Sequence, residues 1–235
     1  MNKSPNVTLL YFTDILCIWA YLAQIRIDEL QNTFGKKIEV KEHFVSIFGS
    51  VGSKMEQNWQ SKGGIKAYAE HVQSIAQGFD HITIHPDIWV KDTPKTSASC
   101  HVFLKAIQIL EARNELPLTC VPNSTEKCTS ELITWELRKA FFEELIDISS
   151  YKNQLGVAEN LGLPLKQIQE IIENGEAFAA LAKDRILQNK YNVTGSPSLV
   201  LNNGRQIIYG NVGYRVIEAN IHELINQPDN QASWC

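Results

Sequence analysis

The chain is β-prone at both ends and helical between them, which leaves few folds open to it. Val7 to Phe12 is a compact apolar run of strand-forming residues. After Thr13-Asp14, the positions Leu16, Trp19, Leu22, Ala23, Ile25, Ile27 and Leu30 suit an amphipathic helix, and Gly35 marks its end. Ile38 to Phe44 then alternates, with Ile38, Val40 and Phe44 opposed to Glu39, Lys41 and His43, as a second strand does. Strand, helix, strand predicts a parallel pair with a right-handed crossover. At the other end, Pro197 to Leu201 and Gln206 to Tyr209 flank Asn202-Asn203-Gly204-Arg205, and an Asn-Gly between two β-prone runs signals a hairpin. A last helix over 214–225 collects Val216, Ile217, Ile221, Leu224 and Ile225 on one face.

From about Lys54 to Asn192 helical patterns dominate. Helices are expected over 97–112, 130–146 and 167–191, with loop-rich stretches at 49–64 and 78–94. The expected fold class is therefore α/β: a discontinuous sheet domain over 1–53 and 193–227, an all-helical insertion over 54–192, and a flexible polar tail over 228–235. At 235 residues and 44% apolar composition the chain can bury a substantial core.

A formal charge of −4, with charges of both signs scattered, supplies no basic field for nucleic acid or an anionic membrane. No stretch resembles a membrane span, and the N-terminal apolar run is too short for a signal-peptide core. Five cysteines, odd in number and irregularly spaced, do not make a secreted disulfide framework. Cytoplasmic localisation is the expectation.

Chemistry concentrates at Asp14-Ile15-Leu16-Cys17-Ile18-Trp19-Ala20-Tyr21. Cys17 falls where a strand hands over to a helix N-terminus, whose free N–H groups and dipole favour a thiolate. Such placement can lower a thiol pKa to roughly 3.5–7.5 from about 8.5. The plainer reading is a buried small hydrophobe. Ala20 stands where a C-x-x-C pair would carry its second cysteine, so any second sulfur must come from elsewhere. Val193-Thr194-Gly195-Ser196-Pro197 precedes a strand in which proline cannot donate to the ladder, and a cis Ser196–Pro197 bond is expected, with a trans proline opening an edge strand as the alternative.

Taken together, these residues resemble the DsbA-like branch of the thioredoxin superfamily, including FrnE-like oxidoreductases and 2-hydroxychromene-2-carboxylate isomerases. The resemblance covers nearly the whole chain. Asp14 to Tyr21 is similar to the family's active-site stretch, Gly195 to Leu199 to its cis-proline loop, Gly210 to the turn after the hairpin, and Ala140 to Ser149 with Leu161-Gly162-Leu163 to a segment of its helical insertion. It implies a thioredoxin-like domain interrupted by helices, Cys17 as nucleophile facing the loop before Pro197, and Trp19, Ser196 and Pro197 at the substrate, with Ser196 offering backbone hydrogen bonds to a peptide or glutathione. Ala20 departs from the oxidase members. Cys17 departs from the isomerases and kappa-class glutathione transferases, which usually carry serine there.

Secondary candidates have bland alternatives. Cys100 could be a distal resolving thiol or a packed helix cysteine, and His101 could orient a substrate or sit partly solvated on its helix. Cys120 and Cys128 could pair or bind metal, but their spacing does not specify it. Asp80, His81, His85 and Asp87 form a polar cluster short of a zinc ligand set, and no metal is expected. Cys235 could act as a tethered thiol or end a frayed tail. Trp19 and Asp14 could simply cover the thiol and tie the loop. The leading expectation is a single-cysteine thiol–disulfide oxidoreductase or isomerase acting through a mixed disulfide on Cys17. Its partners would be a disulfide-containing protein or a small thiol, with glutathione as co-substrate and no bound cofactor. The alternatives are a glutathione-dependent isomerase or transferase on a small hydrophobic molecule, and a non-catalytic module binding peptides or thiols.

Overall fold

The computed structural model describes residues 7–116, 127–227 and 233. Strands β1 (Val7–Thr13), β2 (Ile38–Phe44), β3 (Ser198–Leu201) and β4 (Gln206–Tyr209) form one sheet in the order β2-β1-β3-β4. β1 and β2 are parallel, Val7 opposite Ile38 and Thr13 opposite Phe44. Helix α1 (Ile18–Phe34) joins them, because parallel neighbours cannot be linked by a tight turn. β3 is antiparallel to β1, with Phe12 opposite Ser198, and pairs in turn with β4. The carboxyl ends of β1 and β2 and the amino end of β3 therefore share one edge of the sheet. That edge carries Cys17, Ser46 and Pro197.

Alternation along β1 sends Val7, Leu9 and Tyr11 to one face, where Ile27, Leu30 and Phe34 of α1 meet Ile217, Ile221 and Leu224 of α9 (Tyr214–Asn226). Phe12 faces the other side with Val45, Tyr191, Val193 and Val200. The hairpin turn places Asn202, Asn203 and Gly204 at φ of 43°, 59° and 92°, left-handed conformations that asparagine and glycine tolerate. Asn202 Oδ1 also accepts from the Thr8 amide at 2.8 Å, pinning the turn to β1.

The rest is helical: α2 (Val51–Trp59), α3 (Gly64–Ala76), α4 (Ala98–Ala112), α5 (Thr129–Phe142), α6 (Tyr151–Asn160), α7 (Leu165–Glu173) and α8 (Glu176–Lys190). The stretch 49–64, expected as loop, holds α2. Ser50 caps it by accepting from the Ser53 amide, and only Val51 and Met55 of its nine residues are buried, too few for a visible apolar stripe. The single helix expected over 167–191 is two, broken at Gly175, whose φ of 88° no helix continues through. That break resets the helical phase, so Phe178 and Ile186, expected on the apolar face, are exposed. The helix expected to run to Ile146 ends at Phe142. Among the described residues no helix is long and apolar enough to cross a membrane.

Candidate active site

Cys17 is the N-cap of α1. Its backbone is extended (φ −83°, ψ 116°), and its carbonyl accepts from the amides of Ala20 at 3.1 Å and Tyr21 at 3.0 Å, so the helix starts on the cysteine itself. The Ser196–Pro197 bond is cis. This loop presents the Ser196 carbonyl to the thiol, and Cys17 Sγ donates to it at 3.2 Å. Ser196 Oγ accepts from the Asp14 amide at 2.8 Å, which locks the proline loop to the end of β1.

Cys17 is 6% exposed and belongs to the large apolar cluster of the helical region. Burial pushes its pKa up. Hydrogen bonds from the Ala20 amide, the Ser196 side chain and the Trp19 amide work against that, while the negative charge of Asp14 adds to it. The thiolate expected from the helix terminus is therefore corrected: desolvation outweighs the terminus, and the resting group is a neutral S–H aimed at a carbonyl.

Asp14 organises the loop beneath. Its wholly buried carboxylate accepts from the Leu16 amide (2.9 Å), the Phe48 amide (2.8 Å) and Ser97 Oγ (2.8 Å), joining the Cys17 loop to the segment after β2 and to the start of α4. His101 on α4 completes the arrangement. Its Nε2 accepts from the Ile15 amide at 3.2 Å, so Nδ1 carries the proton and donates to Ser46 Oγ at 3.3 Å. Burial lowers its pKa to about 4 against the pull of Asp14 and Asp184, which keeps it neutral. The partly solvated histidine expected from sequence is in fact wholly buried, stacked on Phe44 with ring centroids 5.1 Å apart.

Arg138 of α5, also fully buried, donates to Thr13 Oγ1 at 2.8 Å and to Gln24 Oε1 at 2.7 Å. Tyr21 donates to Glu143 at 2.6 Å. Sequence reasoning missed Arg138, since a lone arginine on an amphipathic helix reads as a solvated position.

The remaining expected residues are held by contacts of their own. Trp19 is half-buried against the helical core. Cys100 is wholly buried, and burial holds its thiol strongly protonated. His81 bonds the Leu22 carbonyl at 3.1 Å, His85 accepts from the Asp87 amide, and Asp87 pairs with Lys91 at 2.7 Å. The polar cluster of Asp80 to Asp87 is thus not gathered around a common point, and among the described residues no three His, Cys, Asp or Glu side chains are grouped as a metal requires. Cys128 is buried at the start of α5, its sulfur 3.4 Å from Ser130 Oγ. Cys120 and Cys235 lie outside the described residues.

The family profile of the DSBA-like thioredoxin domain matches residues 8–222. The chain belongs to that family. No curated protein sequence matches it significantly. Solved structures similar to this DsbA-like chain include a protein disulfide isomerase candidate from Nitrosomonas europaea, at 12% identity and TM-score 0.71, covering 94% of this chain and 98% of that one. The cytosolic disulfide reductase DsbM from Pseudomonas aeruginosa is similar at 19% identity and TM-score 0.61, with 92% and 98% covered. A 2-hydroxychromene-2-carboxylate isomerase is similar at 14% identity and TM-score 0.64, with 96% and 100% covered. At these identities the likeness extends to the fold: a thioredoxin-like sheet carrying a helical insertion.

Proposed function

We propose that this DsbA-like protein is a single-cysteine thiol–disulfide oxidoreductase, working through a mixed disulfide on Cys17. The observation that carries this reading is the thiol at the helix start, 3.2 Å from the carbonyl preceding a cis proline, with Ala20 where a second thiol would stand. Loss of the Cys17 proton to solvent gives the thiolate. It attacks one sulfur of a disulfide, the S–S bond breaks, the departing sulfur leaves as a thiolate, and Cys17 holds the other half. A second thiol, of which glutathione is the chemical type, then attacks the substrate's sulfur and frees Cys17 as thiolate. On this reading Trp19, Ser196 and Pro197 receive the substrate, Ser196 through its backbone carbonyl once the thiol proton has gone. The cytosolic DsbM neighbour, also solved with GSH at 18% identity and TM-score 0.60, supports glutathione as the small thiol and a cytoplasmic setting.

Intact-mass measurement after exposure to oxidised glutathione tests this directly: one glutathione adduct mapping to Cys17, absent in Cys17→Ala, is the expected result. An unmodified Cys17 peptide after prolonged exposure at alkaline pH defeats the proposal. A second reading draws on the protonated thiol. An S–H held neutral by burial can donate to the sulfur of a bound glutathione thiolate, as a serine hydroxyl would, in isomerase or transferase chemistry on a small hydrophobic substrate. Cys17→Ser separates the two, since it keeps turnover under this second mechanism and loses the mixed disulfide under the first.

A further inference from the structure

A cavity of about 400 Å³ opens beside the outer edge of β2, between α1, α4 and α5. Its volume falls within the range of ligand pockets, roughly 300–1,000 Å³. Tyr11, Ile27 and Val40 give it an apolar wall, and three carboxylic acids line it: Glu42 from β2, Glu111 from α4 and Glu131 from α5. The cations that line it are already engaged by acids lying outside it. Lys105 pairs with Asp184 at 2.6 Å, His43 with the same carboxylate at 2.7 Å, and Lys41 with Glu39 at 3.0 Å. Among the described residues no cation stands within ion-pair distance of Glu42, Glu111 or Glu131.

We infer that this cavity binds a linear alkyl diammonium ion, its nitrogens at the carboxylates and its methylenes on the apolar wall, a function separate from exchange at Cys17. Neutral donors already meet two of the acids. Glu111 accepts from the Ser130 amide at 3.0 Å and hydroxyl at 2.5 Å, and Glu131 from Gln31 Nε2 at 2.7 Å and the Cys128 amide at 3.2 Å. Those bonds fix the two carboxylates without cancelling their charge. Glu42 has less: Thr134 Oγ1 lies 3.5 Å from it, and that hydroxyl's single proton goes to the Ser130 carbonyl at 2.8 Å. Among the described residues Glu42 thus lacks a donor of its own, and burial, with the charge of Glu131 added, raises its pKa to about 7 against the pull of Arg138 and Lys105. A ligand ammonium supplies both the donor and the charge. A single metal ion does not fit, because among the described residues the acids are not gathered around one point. Glu111 is anchored at Ser130 and Glu42 stands beside Thr134, four residues further along α5, a rise of about 6 Å that a short alkyl diamine bridges.

The test is isothermal titration calorimetry of the full chain with 1,4-diaminobutane. At pH 8, where Glu42 is ionised, saturable one-to-one binding is expected. Glu42→Gln should weaken it about tenfold, the worth of one hydrogen bond to a charged group. Glu159→Gln, which removes an exposed acid on α6 outside the cavity, should leave it within about twofold. The uncharged 1,4-butanediol should not bind. At pH 6 Glu42 is protonated, so the incoming ammonium expels that proton, and the heat of binding should vary with the ionisation enthalpy of the buffer in wild type but not in Glu42→Gln. Cys17→Ala should bind the diamine as wild type does, which keeps this result apart from the fate of the exchange reaction. Absence of saturable binding, equal weakening by Glu42→Gln and Glu159→Gln, binding of the diol as tight as that of the diamine, or a buffer-independent heat for wild type at pH 6 overturns the inference.

Discussion

Replacing Glu42 with glutamine should make the protein gain stability relative to wild type as pH rises from 4.5 to about 7. Glu42 lies on β2 against α5, where Thr134 Oγ1 is 3.5 Å from its carboxylate. Burial raises its pKa from 4.5 to about 7, outweighing the attraction of Arg138. The folded chain therefore favours the neutral acid, whereas an unfolded chain ionises at the ordinary value. At about 1.4 kcal/mol per tenfold difference in protonation, the gap is worth about 3 kcal/mol, and partial solvent contact reduces it to about 2–3. Below pH 4.5 both states are protonated and the contribution is whole. Above 4.5 the unfolded state ionises first, so stability drains away until pH reaches about 7 and the folded state ionises as well. Glutamine keeps the shape and never ionises. Urea denaturation of both proteins across this range, followed by tryptophan fluorescence, should show a stability difference that climbs by about 2–3 kcal/mol and is level outside the window. A difference that stays constant from acid to neutral pH would mean the carboxyl is solvated in the fold and would refute the reasoning.

His101 should show the opposite slope. Its pKa is lowered from 6.5 to about 4, so as pH falls below 6.5 the unfolded chain takes up the proton first and stability is lost down to about pH 4. His101→Gln, which can still accept from Ile15 and donate to Ser46, should abolish that acid-side loss in the same denaturation series. Arg138→Met should push the upper edge of the Glu42 window above pH 7, because the cation is what restrains that carboxyl, and an unmoved edge would count against it. Alkylation of Cys17 by iodoacetamide should rise about tenfold per pH unit through neutrality and level off only above the ordinary thiol range of about 8.5. Asp14→Asn should bring that plateau to lower pH by removing a repelling charge. A wild-type plateau below neutral pH would contradict the burial argument.

The sheet was legible because its signals are local: alternation in Ile38–Phe44, the apolar run of Val7–Phe12, and the Asn-Gly turn each state their own structure. The cis proline was legible because its neighbours, a strand and a turn, constrain it from both sides. What escaped were features set by distant chain. Nothing in the order of residues announces that Asp14 will accept from Phe48 and Ser97, or that Arg138 will reach Thr13, since each contact spans dozens of residues. The charge state of Cys17 escaped for the same reason. The helix terminus that favours a thiolate is local and visible, while the desolvation that defeats it comes from residues of the helical insertion packed around it.

That defeat bears on the direction in which a lone cysteine would run exchange. A thiol whose thiolate is strongly stabilised at neutral pH holds its reduced form down in free energy, and its disulfide is then a strong oxidant. Cys17 has no such stabilisation: it is an uncharged thiol in the reduced state, so ionisation contributes nothing against the mixed disulfide. It is also a poor leaving group, because a sulfur of raised pKa departs slowly when an incoming thiol attacks its partner. With Ala20 unable to attack from within, the mixed disulfide should be both populated and long-lived, as a reducing catalyst requires when it waits for an external thiol. Equilibration with reduced and oxidised glutathione should give an adduct fraction that stays constant from pH 6 to neutrality, when plotted against the ratio of oxidised to reduced glutathione, since no ionisation intervenes on either side. An adduct that weakens steadily over that interval would reveal a Cys17 thiolate and place the protein with the oxidants instead.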